Sequence, residues 1–234
     1  MKNYYLYAAL GISLLFSACS KSDDGGGGTP PPNYITFTNN DTRMYSRTIN
    51  GTPSNYTLTT TNTDTLVEGH NYKVFLNDNG PNEYFNINGV DYSTFLDLGG
   101  FVGGNPINYV YLKHDVPVGT SWTKSISGIE ITGVGTLSGT ATMKIEEKGL
   151  DRTVSSLPFD EVIRVSTKIS NVSVTVTGIP LPIPVPDANF QNNIQNYYAP
   201  KVGLIENNTT IHIDFQGTVE DLNMNTLITG YNIQ

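Results

Sequence analysis

Cysteine is all but missing. The chain has one, Cys19, so no disulfide can close within it. Histidine is almost as scarce: His70, His114 and His212 are the three, and none has metal-ligand spacing to a second. Charged residues make up 15%, against about 25% in an average soluble domain. The shortfall is greatest on the basic side: Lys+Arg number 13 against Asp+Glu 21, a net charge of −8. Acidity at this level argues against nucleic acid, because phosphate contacts need clustered Lys and Arg. It also argues against an electrostatic membrane patch. Long apolar runs are lacking too. The run at residues 6–16 falls short of the roughly 20 apolar residues that a spanning helix needs. No internal repeat is visible. No nucleophile-elbow motif exists, since Gly119-Thr120-Ser121-Trp122 does not complete one.

What is present begins at the amino terminus. Lys2 is the only charge before Cys19, and residues 6–16 have the length of a signal-peptide core. Small residues Ser17 and Ala18 follow, then Cys19. Phe16-Ser17-Ala18-Cys19 resembles the lipobox of bacterial lipoproteins, although Leu is commoner at the position of Phe16. The resemblance implies a signal peptide over residues 1–18, removed by cleavage before Cys19. It also implies a diacylglyceryl thioether on the cysteine sulfur and a further acyl chain, of the palmitate class, on the new amino group. Each buried CH₂ contributes about 0.8 kcal/mol, so several chains hold where one is marginal. An ordinary secretory signal with a chance cysteine, or an uncleaved membrane helix, are the alternatives.

Ser20-Lys21-Ser22-Asp23-Asp24 resembles the short signal that sends lipoproteins of some Gram-negative bacteria to the outer face of the outer membrane. On that resemblance the partners are the outer membrane, through the lipid anchor, and the lipoprotein processing and export machinery. The location is the outer membrane, facing the cell exterior. The plainer reading is a solvated linker. Residues 19–32 thus form a lipidated cysteine and a tether of four glycines and three prolines. Thirteen residues of tether, 20–32, reach about 45 Å at full stretch.

Residues 33–234 read as a single all-β domain. Strand signals occupy residues 34–38, 56–61, 72–76, 84–87 and 109–112. Asn39-Asn40-Asp41 and residues 77–82 are turn clusters, and Gly99, Gly100, Gly103, Gly104, Asn105 and Pro106 break the chain. Period-2 stripes are clearest later: Ala141/Met143/Ile145, Ile163/Val165/Ile169, Val172/Val174/Val176 and Ile211/Ile213/Phe215. One wet and one packed face is the mark of an antiparallel sheet. The expectation is a single antiparallel curved sheet, half-barrel or sandwich, with at most one short helix. That helix, or a turn, would lie in residues 187–198, with Asp187 as N-cap. Residues 179–186, Ile-Pro-Leu-Pro-Ile-Pro-Val-Pro, can be extended but cannot form a central strand.

Three segments carry a wider resemblance. They are Val118-Gly119-Thr120-Ser121-Trp122, Phe159-Asp160-Glu161-Val162-Ile163-Arg164-Val165, and Tyr197-Tyr198-Ala199-Pro200-Lys201-Val202-Gly203-Leu204-Ile205. In that order they resemble exported bacterial lipoproteins with a curved antiparallel sheet, distantly LolA-like in shape. Lys201 stands where that pattern often has glycine. The resemblance supplies no catalytic residues.

Chemistry-bearing candidates are few. His212 and Asp214 share a strand face and read as a solvent-facing pair, or else as a metal half-site or acid/base pair. Asp78-Asn79-Gly80 reads as a turn, because the later bidentate glutamate of a calcium loop is missing. Glu146 and Glu147, as strand neighbours, point to opposite faces. Trp122 reads as core more than as a ligand platform. The 14 tyrosines suit strand packing, sugar stacking or an apolar cleft. The expected function is therefore a non-catalytic binding or accessory module with no cofactor, no metal and no nucleic-acid partner. A periplasm-facing carrier of a hydrophobic ligand or lipid, a glycan-binding or adhesion module, and an enzyme are the alternatives. Cys19 is the one site residue assigned.

Overall fold

The computed structural model describes residues 33–67, 69–96, 102–103, 107–131, 135–176 and 181–234. The signal segment, Cys19, the tether, and Gly99, Gly100, Gly104, Asn105 and Pro106 lie outside the described residues. The chain forms strands β1 (Thr42–Ile49), β2 (Thr52–Val67), β3 (His70–Asn77), β4 (Glu83–Asn88), β5 (Asp91–Leu96), β6 (Val102–Gly103) and β7 (Ile107–Lys113). It continues through β8 (Ser121–Ile131), β9 (Gly135–Val154), β10 (Leu157–Thr175), β11 (Ile183–Pro184), β12 (Phe190–Ala199), β13 (Gly203–Phe215) and β14 (Thr218–Asn232). All belong to one 14-stranded sheet in the order β6-β8-β9-β10-β12-β13-β14-β1-β2-β3-β4-β5-β7, with β11 alongside β10. Every pairing is antiparallel.

The path is a meander with one long-range join, β14 to β1, where Thr42 pairs with Asn232. Its two ends are β7 and the two-residue β6, which covers only the far end of β8, and the sheet curls almost into a barrel with β8 facing β7. Among the described residues no backbone ladder spans that gap. Trp122 of β8 crosses it instead, its indole N–H donating to the Val110 carbonyl of β7 at 2.7 Å. Trp122 is half-buried against the core, as its sequence context suggests.

The stripes of Ile163/Val165/Ile169 and Val172/Val174 belong to one strand, β10. Between Ser170 and Ser173 the β9–β10 register shifts, and Asn171 sits at φ 52°. That bulge moves the inward set from odd to even positions, so both stripes face the same core. Residues 187–198 do not form a helix beyond one 3₁₀ turn, Asp187–Asn189, which Pro186 precedes without a side-chain cap. β12 takes over at Phe190, because Tyr197 and Tyr198 pack better on a pleated surface than Asn-rich helix would. Residues 183–184 pair with Val174 and Ser173 as a two-residue edge strand, the role that alternate prolines allow.

The strand expected over residues 34–38 is instead an irregular strap with a single bridge, Ile35 to Val202. Beside it lies Arg43 of β1, 1% exposed and inside the core. Arg43 Nε donates to the Val202 carbonyl at 2.6 Å and Nη1 to Thr60 Oγ1 at 3.1 Å. Nη2 donates to the Thr36 carbonyl and hydroxyl and to the Lys201 carbonyl. Thr36 Oγ1 in turn donates to Asp41 Oδ2, and Asp41 Oδ1 accepts from the Gln234 backbone N–H at 3.0 Å. One buried cation thereby gathers the strap, β2, the β12–β13 turn and, through Thr36 and Asp41, the last described residue. Lys201 in that turn has φ 66° and Gly203 φ 91°, both in the left-handed region. That backbone explains why the related pattern favours glycine near position 201.

On the outer face Arg152 of β9 reaches over Tyr197, its guanidinium carbon 3.7 Å from the ring centroid. Its Nε and Nη2 donate to the two carboxylate oxygens of Glu206, each at 2.7 Å. Burial works to raise the Glu206 pKa, and hydrogen bonds from Arg152 and Asn208 outweigh it, so the carboxyl is held below its ordinary value. A lowered folded-state pKa means stability that is complete above the ordinary 4.5 and lost as pH falls below it. Glu206→Gln is expected to flatten the decline of the urea midpoint below pH 4.5 relative to the parent. Removing the inner cation is expected to cost more: Arg43→Met strands buried carbonyls and should lower unfolding free energy by about 3–5 kcal/mol at neutral pH, measured by urea titration.

Candidate functional site

Strand alternation places Arg43, Tyr45, Arg47 and Ile49 of β1 on the inner face, about 6.8 Å from one to the next. Those four residues trace the interior from end to end. Around Arg43, Tyr45 and Arg47 is a chamber of about 500 Å³. Rings of Tyr56, Phe85, Tyr109, Tyr111 and Tyr198 line it, and it opens beside the exposed turn residues Asn79, Gly80, Pro81 and Asn82. Beyond Arg47, around Ile49, is a second space of about 140 Å³. Its walls are mostly aliphatic, Ile126, Met143, Ile169, Ile194, Ile211 and Leu222, with Lys124, Thr167 and Thr209 among them. Arg47, Tyr109, Asn196, Asn207 and Met224 border both chambers.

Arg47 is the charged group at that border. Its Nη2 donates to the Tyr56 hydroxyl at 2.8 Å, and its guanidinium carbon lies 4.4 Å from the Tyr56 ring centroid. Tyr56 in turn stacks on Tyr45, with centroids 5.1 Å apart. Arg47 Nε is buried with no hydrogen-bond partner. Among the described residues no carboxylate lies within ion-pair distance of it. Beside it the Asn207 amide donates to Asn196 Oδ1 at 2.8 Å and to Thr209 Oγ1 at 3.1 Å.

Burial raises the pKa of every phenol in the larger chamber that shifts: Tyr109 to about 12, and Tyr45, Tyr56, Tyr111 and Tyr198 well above the ordinary phenol value. These hydroxyls stay neutral across physiological pH. They offer hydrogen bonds and ring faces, not bases or nucleophiles. The lining is mostly apolar with a few convergent polar groups, a composition shared with small-molecule sites.

A third, polar cleft of about 250 Å³ lies at the β7–β8 gap, bordered by His70, Asn86, Asn88, Asp91, Trp122 and Lys124. Its Asp91 is engaged by Lys113 at 2.8 Å.

The structure separates the residues singled out from sequence. His212 pairs across strands with Asp221 at 2.8 Å, not with Asp214, and borders none of these cavities. His114 is buried against the rings of Tyr34 and Tyr92, while His70 is exposed at the cleft. Asp78 accepts from the Thr57 backbone N–H at 2.6 Å, and Asn79 donates to the Asn55 carbonyl, so that turn spends its side chains on backbone. Glu146 engages Lys144 and Ser166, whereas Glu147 engages Arg164. Among the described residues no group of three or more His, Cys, Asp or Glu is placed to hold a metal ion. Sequence reasoning missed Arg43 and Arg47. The signal was there, Arg-x-Tyr-x-Arg-x-Ile over residues 43–49, but charge at alternate strand positions imitates a solvent face.

No protein-family model matches this chain, and no curated protein matches it. A solved structure described as a "putative lipoprotein" from Parabacteroides distasonis ATCC 8503 is similar at 11% identity and a TM-score of 0.46. The match covers 86% of this chain and 99% of that one.

Proposed function

We propose that this chain is a lipid-anchored outer-membrane lipoprotein, facing the cell exterior, whose β domain is a non-catalytic binding module that takes a small ligand into its interior. The address rests on Phe16-Ser17-Ala18-Cys19 and Ser20-Lys21-Ser22-Asp23-Asp24. The binding role rests on one observation: the paired chambers, about 500 and 140 Å³, inside the curled sheet. The larger falls within the roughly 300–1,000 Å³ of small-molecule sites. The same chambers favour carriage of an apolar or amphipathic ligand over glycan adhesion. Of the described large hydrophobic side chains that are exposed, Tyr231 is the one aromatic, so the tyrosines turn inward instead of forming an outer stacking platform.

Two measurements test the reading. Intact mass of the protein purified from its native membrane is expected to start at a triacylated Cys19; an unmodified thiol there sinks the anchor. Protease added to intact cells should digest the domain, and full protection would turn it to the periplasmic side. For the interior, methionine methyl resonances are suitable reporters, because Met143 and Met224 border the chambers while Met44 is exposed outside them. Hexan-1-ol, a neutral probe, is expected to shift Met143 and Met224 and leave Met44 in place. No shift at saturating alcohol would sink the binding role.

A further inference from the structure

The border between the two chambers carries one charged group, Arg47. Arginine presents a planar fork of donors, and a carboxylate meets it best by taking two parallel N–H groups. This molecule contains an example: Arg152 uses Nε and Nη2 together on the two oxygens of Glu206. Arg47 lines both chambers with one hydrogen bond, from Nη2 to the Tyr56 hydroxyl at 2.8 Å. Its Nε is enclosed by protein with no acceptor, so the guanidinium is under-satisfied, and an anion against it offsets that cost.

We propose that the interior binds an amphipathic monocarboxylate, with the carboxylate against the Arg47 guanidinium and a short aliphatic tail among Ile49, Met143, Ile169 and Leu222. The inference rests on the interior being the ligand site and adds the ligand's class. Charge favours a monoanion at this border. Arg43, the other cation lining the larger chamber, is occupied by the carbonyls of Val202, Thr36 and Lys201. Glu83 borders the same chamber and opposes a polyanion. Lys124 lines the smaller chamber and adds to the attraction for an anion. Size supports a short tail, because the smaller chamber is about 140 Å³ against about 500 Å³ for the larger. Its walls are mostly aliphatic, which suits a hydrocarbon tail. Asn196 and Asn207, at the same border, leave amide groups beside the headgroup.

The test compares hexanoate with hexan-1-ol at pH 7.5 on the full chain in lipid nanodiscs, read by the methyl resonances of Met143 and Met224. Hexanoate is expected to bind roughly 10- to 100-fold more tightly than the alcohol, the usual worth of a hydrogen bond to a charged group. Arg47→Gln should erase that preference, so that the acid and the alcohol bind alike. Arg47→Lys, which keeps the charge and loses the fork, should retain only part of it. Equal affinities for acid and alcohol on the unaltered protein overturn the proposal and leave the binding role intact. A preference that survives Arg47→Gln overturns it as well. If neither compound shifts either methyl, the binding role itself fails and the ligand class fails with it.

Discussion

A guanidinium sealed from water is the constraint on which this fold depends. Arg43 cannot leave the core without abandoning acceptors on three separate segments, and it cannot stay unless those segments remain in place. Burial pulls its pKa down, and Tyr45 and Asp41 nearby push it back up. The charge is met mostly by carbonyl dipoles and by a hydroxyl relay through Thr36 to Asp41, not by a direct ion pair. Such an arrangement is costly if any member is missing, because the remaining polar groups are too buried to find water. It fixes one end of the curled sheet and holds the inner face of β1 in register for the rest of its length.

That register is what makes the interior more than a core. Two residues beyond Arg43 comes Tyr45, stacked on Tyr56, and two beyond that comes Arg47, whose fork is only partly used. The second arginine differs from the first in its surroundings alone. Arg43 is wrapped by backbone carbonyls, whereas Arg47 is bordered by rings, amides and open space. The same side chain on the same strand face is enclosed in one place and borders a cavity in the other. Neutral phenols around it give the lining polar groups without adding charge.

Much of the architecture was legible in the sequence, for a definite reason. In β9, β10 and β13 the inward positions are aliphatic and the outward ones polar, so period 2 shows directly. The turn at Asn77–Asn82 was equally plain. β1 was not, because its inner face carries Arg43 and Arg47, and charge at alternate positions imitates a solvent face. The strap at Tyr34 was misread in the opposite sense: Tyr34-Ile35-Thr36-Phe37-Thr38 alternates well, yet its partners are side chains and a turn instead of a neighbouring strand. The β10 bulge at Asn171 split one strand into two apparent ones. The site was illegible for the same reason as β1, since no local pattern distinguishes an arginine wrapped in carbonyls from one facing a cavity.

The pairing of β14 with β1 bears on how the chain reaches its native state. Every other junction in the main run of the sheet joins strands close in sequence, so those hairpins can zip as they emerge. β1 has only one neighbour until the final strand arrives, and the Asp41 carboxylate that steadies it also waits for Gln234. Topologies that hinge on so distant a contact assemble slowly. During that interval β1 and β13 are both open margins, each able to recruit a foreign strand. β14 is thus the hinge pin between two meanders, and its loss would leave them as separate sheets with an open edge each.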